Sequence, residues 1–294
     1  MFKGSNVALI TPFKKDNTID EQGIKELIEF HIKNGTDGIV PCGTTGESPT
    51  LSHEEHKKVI ELTVKAVNGR IPVIAGTGSN STEEAIDLTS AAKEIGVEAV
   101  LLVMPYYNKP TQKGLYMHFK TIVEKVDIPA IVYNVPSRSG VNLLPSTLAG
   151  LAELKNIVAV KEASGNLEQM SEIMYLCGDK ITLLSGDDKI LLPVLSIGGK
   201  GVISVVANII PKEVSMMIKK FEDGNYQEAQ DMFFKTIYPL SRAMFYETNP
   251  IPVKTAARLM GLPAGHLRLP MVDMEDNHFE QLKKDLKSFN LLEE

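Results

Sequence analysis

Two cysteines in 294 residues, Cys42 and Cys177, are too few for a disulfide framework, and neither belongs to a C-x-x-C pair. A block of basic residues is missing as well. The densest cluster is Lys57-Lys58, and 31 Lys+Arg against 37 Asp+Glu leave a net charge of −6. The sequence therefore carries no electrostatic footprint for nucleic acid. No apolar stretch approaches the ~20 residues that span a bilayer. The segment Met1–Asn6 runs into a short apolar stretch and then Thr11-Pro12, without the cleavable apolar core of a secretory signal. These absences predict a cytoplasmic chain with neither a nucleic acid nor a membrane as partner. The apolar fraction of 43% and the charged fraction of 23% exclude a disordered tail, a collagen and a coiled-coil rod. A chain of this length buries enough apolar surface to fold without a disulfide or a metal.

What is present is a rhythm. Short β-rich apolar runs recur at Val7–Ile10, Gly38–Val40, Pro72–Ala75, Ala99–Val103, Ala130–Tyr133, Ile157–Val160, Ile181–Leu184 and Gly201–Val205. Their spacing is that of a strand plus a return helix. The runs are continuously apolar rather than alternating, as parallel strands covered by helices require. Helix starts mark the gaps. Ser52-His53-Glu54-Glu55 and Ser81-Thr82-Glu83-Glu84 have the form of capping boxes, Asn166-Leu167-Glu168-Gln169 is a variant, and Pro211 suits a first helical position. Eight such units predict a (β/α)8 TIM barrel. A doubly wound sheet is the rival, but it uses fewer strands and opens on a Gly-rich fingerprint absent here. After residue 224 the strand rhythm stops. The reading is a barrel over residues 1–224 and a C-terminal helical domain over 225–294, with helices near Tyr226–Glu247, Ile251–Met260 and Met274–Asn290.

Barrels of this kind place reacting groups at the C-terminal ends of their strands. Lys161 closes the run Ile157-Val158-Ala159-Val160. Burial there disfavours an ammonium and lowers its pKa. A free lysine near pKa ~10.4 is less than about 0.1% neutral at pH 7, and a shift of ~3 units makes it a nucleophile for a Schiff base with a keto acid. The plain alternative is a strand-end lysine that reaches solvent or pairs with Glu162. Tyr133 ends the neighbouring strand, as a proton shuttle or as an aromatic plug. Gly43-Thr44-Thr45-Gly46 is a turn whose amides and hydroxyls suit a carboxylate, or an ordinary strand-to-helix turn. Arg138 offers a guanidinium fork for a second carboxylate, or is a solvated loop arginine. Tyr106-Tyr107 suits a place at the mouth or an interface. Phosphate is a weaker ligand, because Gly198-Gly199 precedes the eighth strand instead of following it. His53 and His56 lack a third nearby ligand, and Asp187-Asp188 serve as well in a helix cap as on a metal. Neither a metal nor a cofactor is expected. Cys42 is read as a small buried apolar residue.

Taken together, Gly43-Thr44-Thr45-Gly46-Glu47, Pro105-Tyr106-Tyr107-Asn108-Lys109-Pro110, Tyr133-Asn134-Val135-Pro136-Ser137-Arg138 and Val160-Lys161-Glu162-Ala163 resemble the motifs of the dihydrodipicolinate synthase family. That family belongs to the N-acetylneuraminate lyase group of Schiff-base aldolases. The resemblance runs from Gly4 to about Gly265. It implies that Lys161 forms an imine with pyruvate, and that Tyr133 relays protons with Thr44 and with Tyr107 of a neighbouring subunit. Thr45 would hold the pyruvate carboxylate, Arg138 would receive that of L-aspartate 4-semialdehyde, and Gly186 and Ile203 would line the pocket. The implied product is 4-hydroxy-tetrahydrodipicolinate, on the route to lysine and diaminopimelate, and the implied assembly is a homotetramer. The resemblance further implies an inhibitory L-lysine site from Ser48, Pro49, His53, His56, Asn80, Glu84 and Tyr106, with Pro49 in place of an alanine common in the family. An N-acetylneuraminate or keto-deoxy sugar acid aldolase is the alternative within the group. A non-catalytic barrel that senses a metabolite is the alternative outside it.

Overall fold

The computed structural model describes residues 2–292. Eight parallel strands alternate with helices: β1 (Gly4–Ala8), β2 (Gly38–Val40), β3 (Ile74–Gly76), β4 (Ala99–Val103), β5 (Ala130–Asn134), β6 (Ile157–Glu162), β7 (Thr182–Ser185) and β8 (Gly201–Ser204). They hydrogen-bond in the order β2-β1-β8-β7-β6-β5-β4-β3. A parallel bridge between Ile39 and Val73 joins the two ends, with the Ile39 amide donating to the Pro72 carbonyl at 3.0 Å. The sheet is a (β/α)8 barrel, as the strand rhythm predicts.

Side chains leave each strand alternately inward and outward. Ala8, Val40, Ile74, Leu101, Ile131, Ala159, Leu184 and Ile203 form one buried cluster in the lumen. Val7, Ile39, Val100, Leu102, Val132, Val160, Leu183 and Val202 belong to a second, larger cluster between sheet and helices. Every strand is thus apolar on both faces, which is why the runs read as continuous.

Strand boundaries differ from the sequence reading where hydropathy misleads. β1 begins at Gly4, three residues before the predicted Val7, because the polar pair Ser5-Asn6 is buried within the ladder, although Ser5 Oγ and Asn6 Oδ1 find no partner there. The Ser5 amide donates to Asp37 Oδ2 at 2.7 Å, and Asn6 Nδ2 to the Val202 carbonyl at 3.3 Å. β3 starts later than expected, since Pro72 has no amide for the ladder. β6 runs on through Lys161 and Glu162.

The cap signals have mixed outcomes. Ser52 makes a full capping box, its Oγ accepting from the Glu55 amide and its own amide donating to Glu55 Oε2. Ser81 makes half of one, because the Glu84 carboxylate turns away to Ser79 and His53. Asn166 caps through the Gln169 amide at 3.0 Å, and Pro211 opens the helix Pro211–Glu222. The predicted helix Tyr226–Glu247 is three segments. It is α-helical over Tyr226–Met232, widens to a π-turn over Phe233–Ile237, and resumes over Tyr238–Ala243. Pro239 explains the widening: it has no amide to return to the preceding turn.

The C-terminal helices are anchored to the barrel by a buried charge. Lys254, in the helix Ile251–Leu259, is fully buried. Its Nζ contacts Glu47 Oε1 at 2.6 Å and donates to the carbonyls of Thr11 at 2.9 Å and His266 at 2.6 Å. The Phe13 ring lies under it, 4.6 Å to the centroid. Glu47 follows the Gly/Thr turn, in a left-handed conformation at φ 55°, and its Oε2 accepts from the Arg268 amide at 3.0 Å. Removing one partner of such a pair strands the other charge in the interior. Lys254→Met is expected to cost about 3–5 kcal/mol of stability, measured by urea denaturation against wild type; a loss below about 1 kcal/mol would show the anchor to be dispensable.

Candidate active site

Lys161 and Tyr133 are brought together by strand register. β5 and β6 pair with Tyr133 opposite Lys161, and β7 places Leu184 on the other side. Val160 packs outward and Ala159 inward, so alternation turns Lys161 into the lumen at the C-terminal rim. Its Nζ stands 4.1 Å from the centroid of the Tyr133 ring. Gly186 makes this geometry possible: a Cβ there would sit 2.7 Å from the Ala163 Cβ and 3.2 Å from the Lys161 Cε.

Lys161 is only 5% exposed. Burial lowers its pKa to about 7, the buried Asp188 carboxylate works in the opposite direction, and the Arg138 guanidinium adds to the lowering. An amine with that pKa is half neutral at pH 7 and needs no separate base to become nucleophilic. Glu162 is no partner for it. That side chain points to the helix layer, where Oε2 accepts from Asn134 Nδ2 at 2.9 Å and Gln169 Nε2 at 3.2 Å, and Oε1 from the Ser164 amide at 2.6 Å. Burial pushes the Tyr133 phenol up to about 12, against the lowering effects of Arg138 and of the Thr44 side chain. It therefore stays protonated near neutrality and acts as a donor.

These groups share one cavity of about 260 Å³ at the barrel mouth. Thr44, Thr45, Tyr133, Arg138, Lys161 and Gly186 all line it. Within the Gly/Thr turn, the Gly46 and Ser48 amides donate to the Gly43 carbonyl and the Glu47 amide to that of Thr44. The amides of Thr44 and Thr45 donate to no backbone carbonyl among the described residues. They are the donors a bound carboxylate requires.

The sequence model of the Dihydrodipicolinate synthetase family matches residues 1–289. The chain belongs to this family. It is 57% identical over 292 residues to the 4-hydroxy-tetrahydrodipicolinate synthase of Thermodesulfovibrio yellowstonii, covering 99% of this chain and 100% of that one. Among solved structures, it matches the chloride-inhibited dihydrodipicolinate synthase of Acinetobacter baumannii complexed with pyruvate, with TM-score 0.97 and 45% identity over 99% of this chain and 100% of that chain. It also matches the lysine-bound enzyme of Cyanidioschyzon merolae, with TM-score 0.96 and 42% identity over 99% of each chain.

The remaining family positions fall in three places. Ile203 lies in the lumen cluster beneath the cavity, whose wall at the end of β8 is Val205. Tyr107 stands outside the cavity, 90% exposed and at φ 73°. Ser48, Pro49, His53, His56, Glu84 and Tyr106 line a second cavity of about 310 Å³, which adjoins the first and shares Thr44, Ser48 and Arg138 with it. Asn80 sits at its edge, Nδ2 donating to the Tyr106 carbonyl at 3.2 Å. His53 Nε2 meets Glu84 Oε1 at 2.7 Å, and His56 is buried with Nε2 2.7 Å from the Gly76 carbonyl. Cys42 is buried, and burial raises its thiol far above the ordinary value, so it is not a nucleophile at neutral pH.

Other groups at the site are absent from the sequence reading or, like Asp188, appear there only as a cap or metal-ligand candidate. Phe245 and Asn249 reach the cavity from beyond residue 224, across the expected domain boundary. Asp188 is buried, with Oδ2 accepting from the amides of Val205 at 2.9 Å and Val206 at 3.0 Å. The signal for Lys254 was a single charge within the apolar stretch Ile251-Pro252-Val253 and Ala256-Ala257.

Imine formation by Lys161 with a 2-keto acid, trapped by borohydride, rises as pH climbs through about 7. Asp188→Asn removes the charge that favours the ammonium and moves the midpoint down. Arg138→Gln removes the charge that opposes it and moves the midpoint up. Trapping rates across pH 5–9 check this; equal or reversed shifts would reject the assignment.

Proposed function

We propose that the chain is a 4-hydroxy-tetrahydrodipicolinate synthase, condensing pyruvate with L-aspartate 4-semialdehyde. The observation that carries the reading is the buried Lys161 amine over the Tyr133 ring, at a rim whose Gly/Thr turn has unengaged amides.

The chemistry follows from what each group can do. The neutral Nζ of Lys161 adds to the pyruvate ketone, and the carbinolamine loses water to an imine. Tyr133, beside Thr44, delivers and recovers the protons that these steps move. The pyruvate carboxylate lies in the Gly/Thr turn, on the amides of Thr44 and Thr45 and the Thr45 hydroxyl. Protonated imine nitrogen is an electron sink, so the methyl carbon loses a proton and becomes an enamine carbon. That carbon attacks the aldehyde, whose own carboxylate Arg138 holds at the mouth. The amino group of the adduct then attacks the imine carbon, closes the ring and returns Lys161 as a free amine.

Tyr107 joins this relay from a second subunit of a homotetramer. Its exposure and its place outside the cavity fit a residue that completes a neighbour's site. The adjoining cavity is the L-lysine site, with Glu84 facing the ligand ammonium and occupancy felt at the mouth through Thr44, Ser48 and Arg138.

Incubation with pyruvate and borohydride, then peptide mapping, places the adduct on the peptide containing Lys161. Lys161→Ala abolishes both trapping and turnover while leaving the fold intact. Turnover of aspartate semialdehyde exceeds that of N-acetylneuraminate by orders of magnitude; the reverse preference would move the chain to a sugar-acid aldolase. Millimolar L-lysine slows the steady-state rate, and a flat response would remove the inhibitory site from the account.

A further inference from the structure

Asn249 belongs to no barrel strand. It lies in the turn before the helix Ile251–Leu259, and it reaches two groups of the site at once. Its Nδ2 donates to Thr45 Oγ1 at 3.0 Å, and its backbone carbonyl accepts from Arg138 Nη2 at 3.1 Å. Its side chain lines the cavity, is 4% exposed, and has no protein partner for Oδ1.

A hydroxyl has one proton and two lone pairs. Thr45 Oγ1 already accepts from Asn249, so one lone pair is filled from behind. The Thr45 proton is then free for an acceptor on the cavity side. A carboxylate there meets a donor already aimed, instead of a hydroxyl that must reorient against its neighbours. An acceptor in the place of Nδ2 would do the opposite: it would draw the Thr45 proton backward and leave lone pairs facing the anion. Five residues on, Lys254 grips Glu47 at the far end of the same turn. One short C-terminal segment therefore fixes both ends of the carboxylate cradle, and through the Asn249 carbonyl also touches Arg138.

We propose that Asn249 is a positioning residue for the keto acid, setting the donor direction of the Thr45 hydroxyl toward the substrate carboxylate. The proposal rests on the reading that the Gly/Thr turn holds the pyruvate carboxylate.

The test is steady-state kinetics on Asn249→Ala, Asn249→Asp, Thr45→Val and the double variant Asn249→Ala/Thr45→Val, in the full-length protein. A hydrogen bond to a charged group sets the scale, on the order of tenfold. Asn249→Ala raises the pyruvate KM by about that factor, with a smaller effect on kcat. Asn249→Asp, nearly the same shape but an acceptor, raises it further. The KM for aspartate semialdehyde moves by less than about threefold, because the carbonyl that holds Arg138 remains. In the Thr45→Val background, Asn249→Ala adds less than about twofold, since the hydroxyl it directs is gone. A merely structural role would instead multiply the two losses and lower kcat and both affinities alongside the melting temperature. Should Asn249→Ala fail to fold, the near-isosteric Asn249→Asp carries the test alone. A wild-type pyruvate KM in that variant overturns the proposal. Borohydride trapping of wild type with pyruvate separates the two levels: failure to trap sinks the reading of the site, whereas normal trapping with an unchanged Asn249→Asp KM sinks only the role of Asn249.

Discussion

The site depends on holding one amine where water does not solvate it. Everything at the mouth serves or offsets that cost. Burial drives Lys161 toward its neutral form, while Asp188 keeps the pKa from falling further. The balance near neutrality leaves a large share of the amine as the free base, the form that can add to a carbonyl carbon. Asp188 achieves this without contacting the cavity, because the amides of Val205 and Val206 hold its carboxylate beside β8.

The same dryness shapes Tyr133. A phenol raised to about 12 keeps its proton near neutral pH. Register, not loop flexibility, sets its distance from Lys161, because both side chains stand on adjacent paired strands. In the proposed function, loop residues carry recognition instead. The Gly/Thr turn and Arg138 both sit outside the ladder, and both are steadied by the segment from Asn249 to Lys254. The C-terminal helices thus belong to the site as well as to the fold.

Much of the architecture was legible in the sequence, for physical reasons. Parallel strands covered on both faces must be apolar throughout, so eight such runs announced the barrel. Lys161 stood out because a charge ending an apolar run is costly unless it is used. Other features were hidden for equally physical reasons. Ser5 and Asn6 are polar yet buried, so hydropathy placed β1 too late. Glu84 fits a capping box in sequence, but Ser79 and His53 compete for its carboxylate. Asn249, Lys254 and Asp188 act through contacts across long stretches of chain, and local pattern does not encode such contacts. The apparent break at residue 224 marks the end of the strand rhythm; Phe245 and Asn249 show that the cavity does not respect it.

The most direct measurement is a carbon NMR titration of protein labelled at the lysine ε-carbon, with Lys161 assigned through its arginine variant. This resonance is expected to titrate near pH 7, well below the ordinary lysine value of 10.5, in the absence of any keto acid. A midpoint at the ordinary lysine value of 10.5 would mean that the amine is solvated and charged, and so no nucleophile at neutral pH.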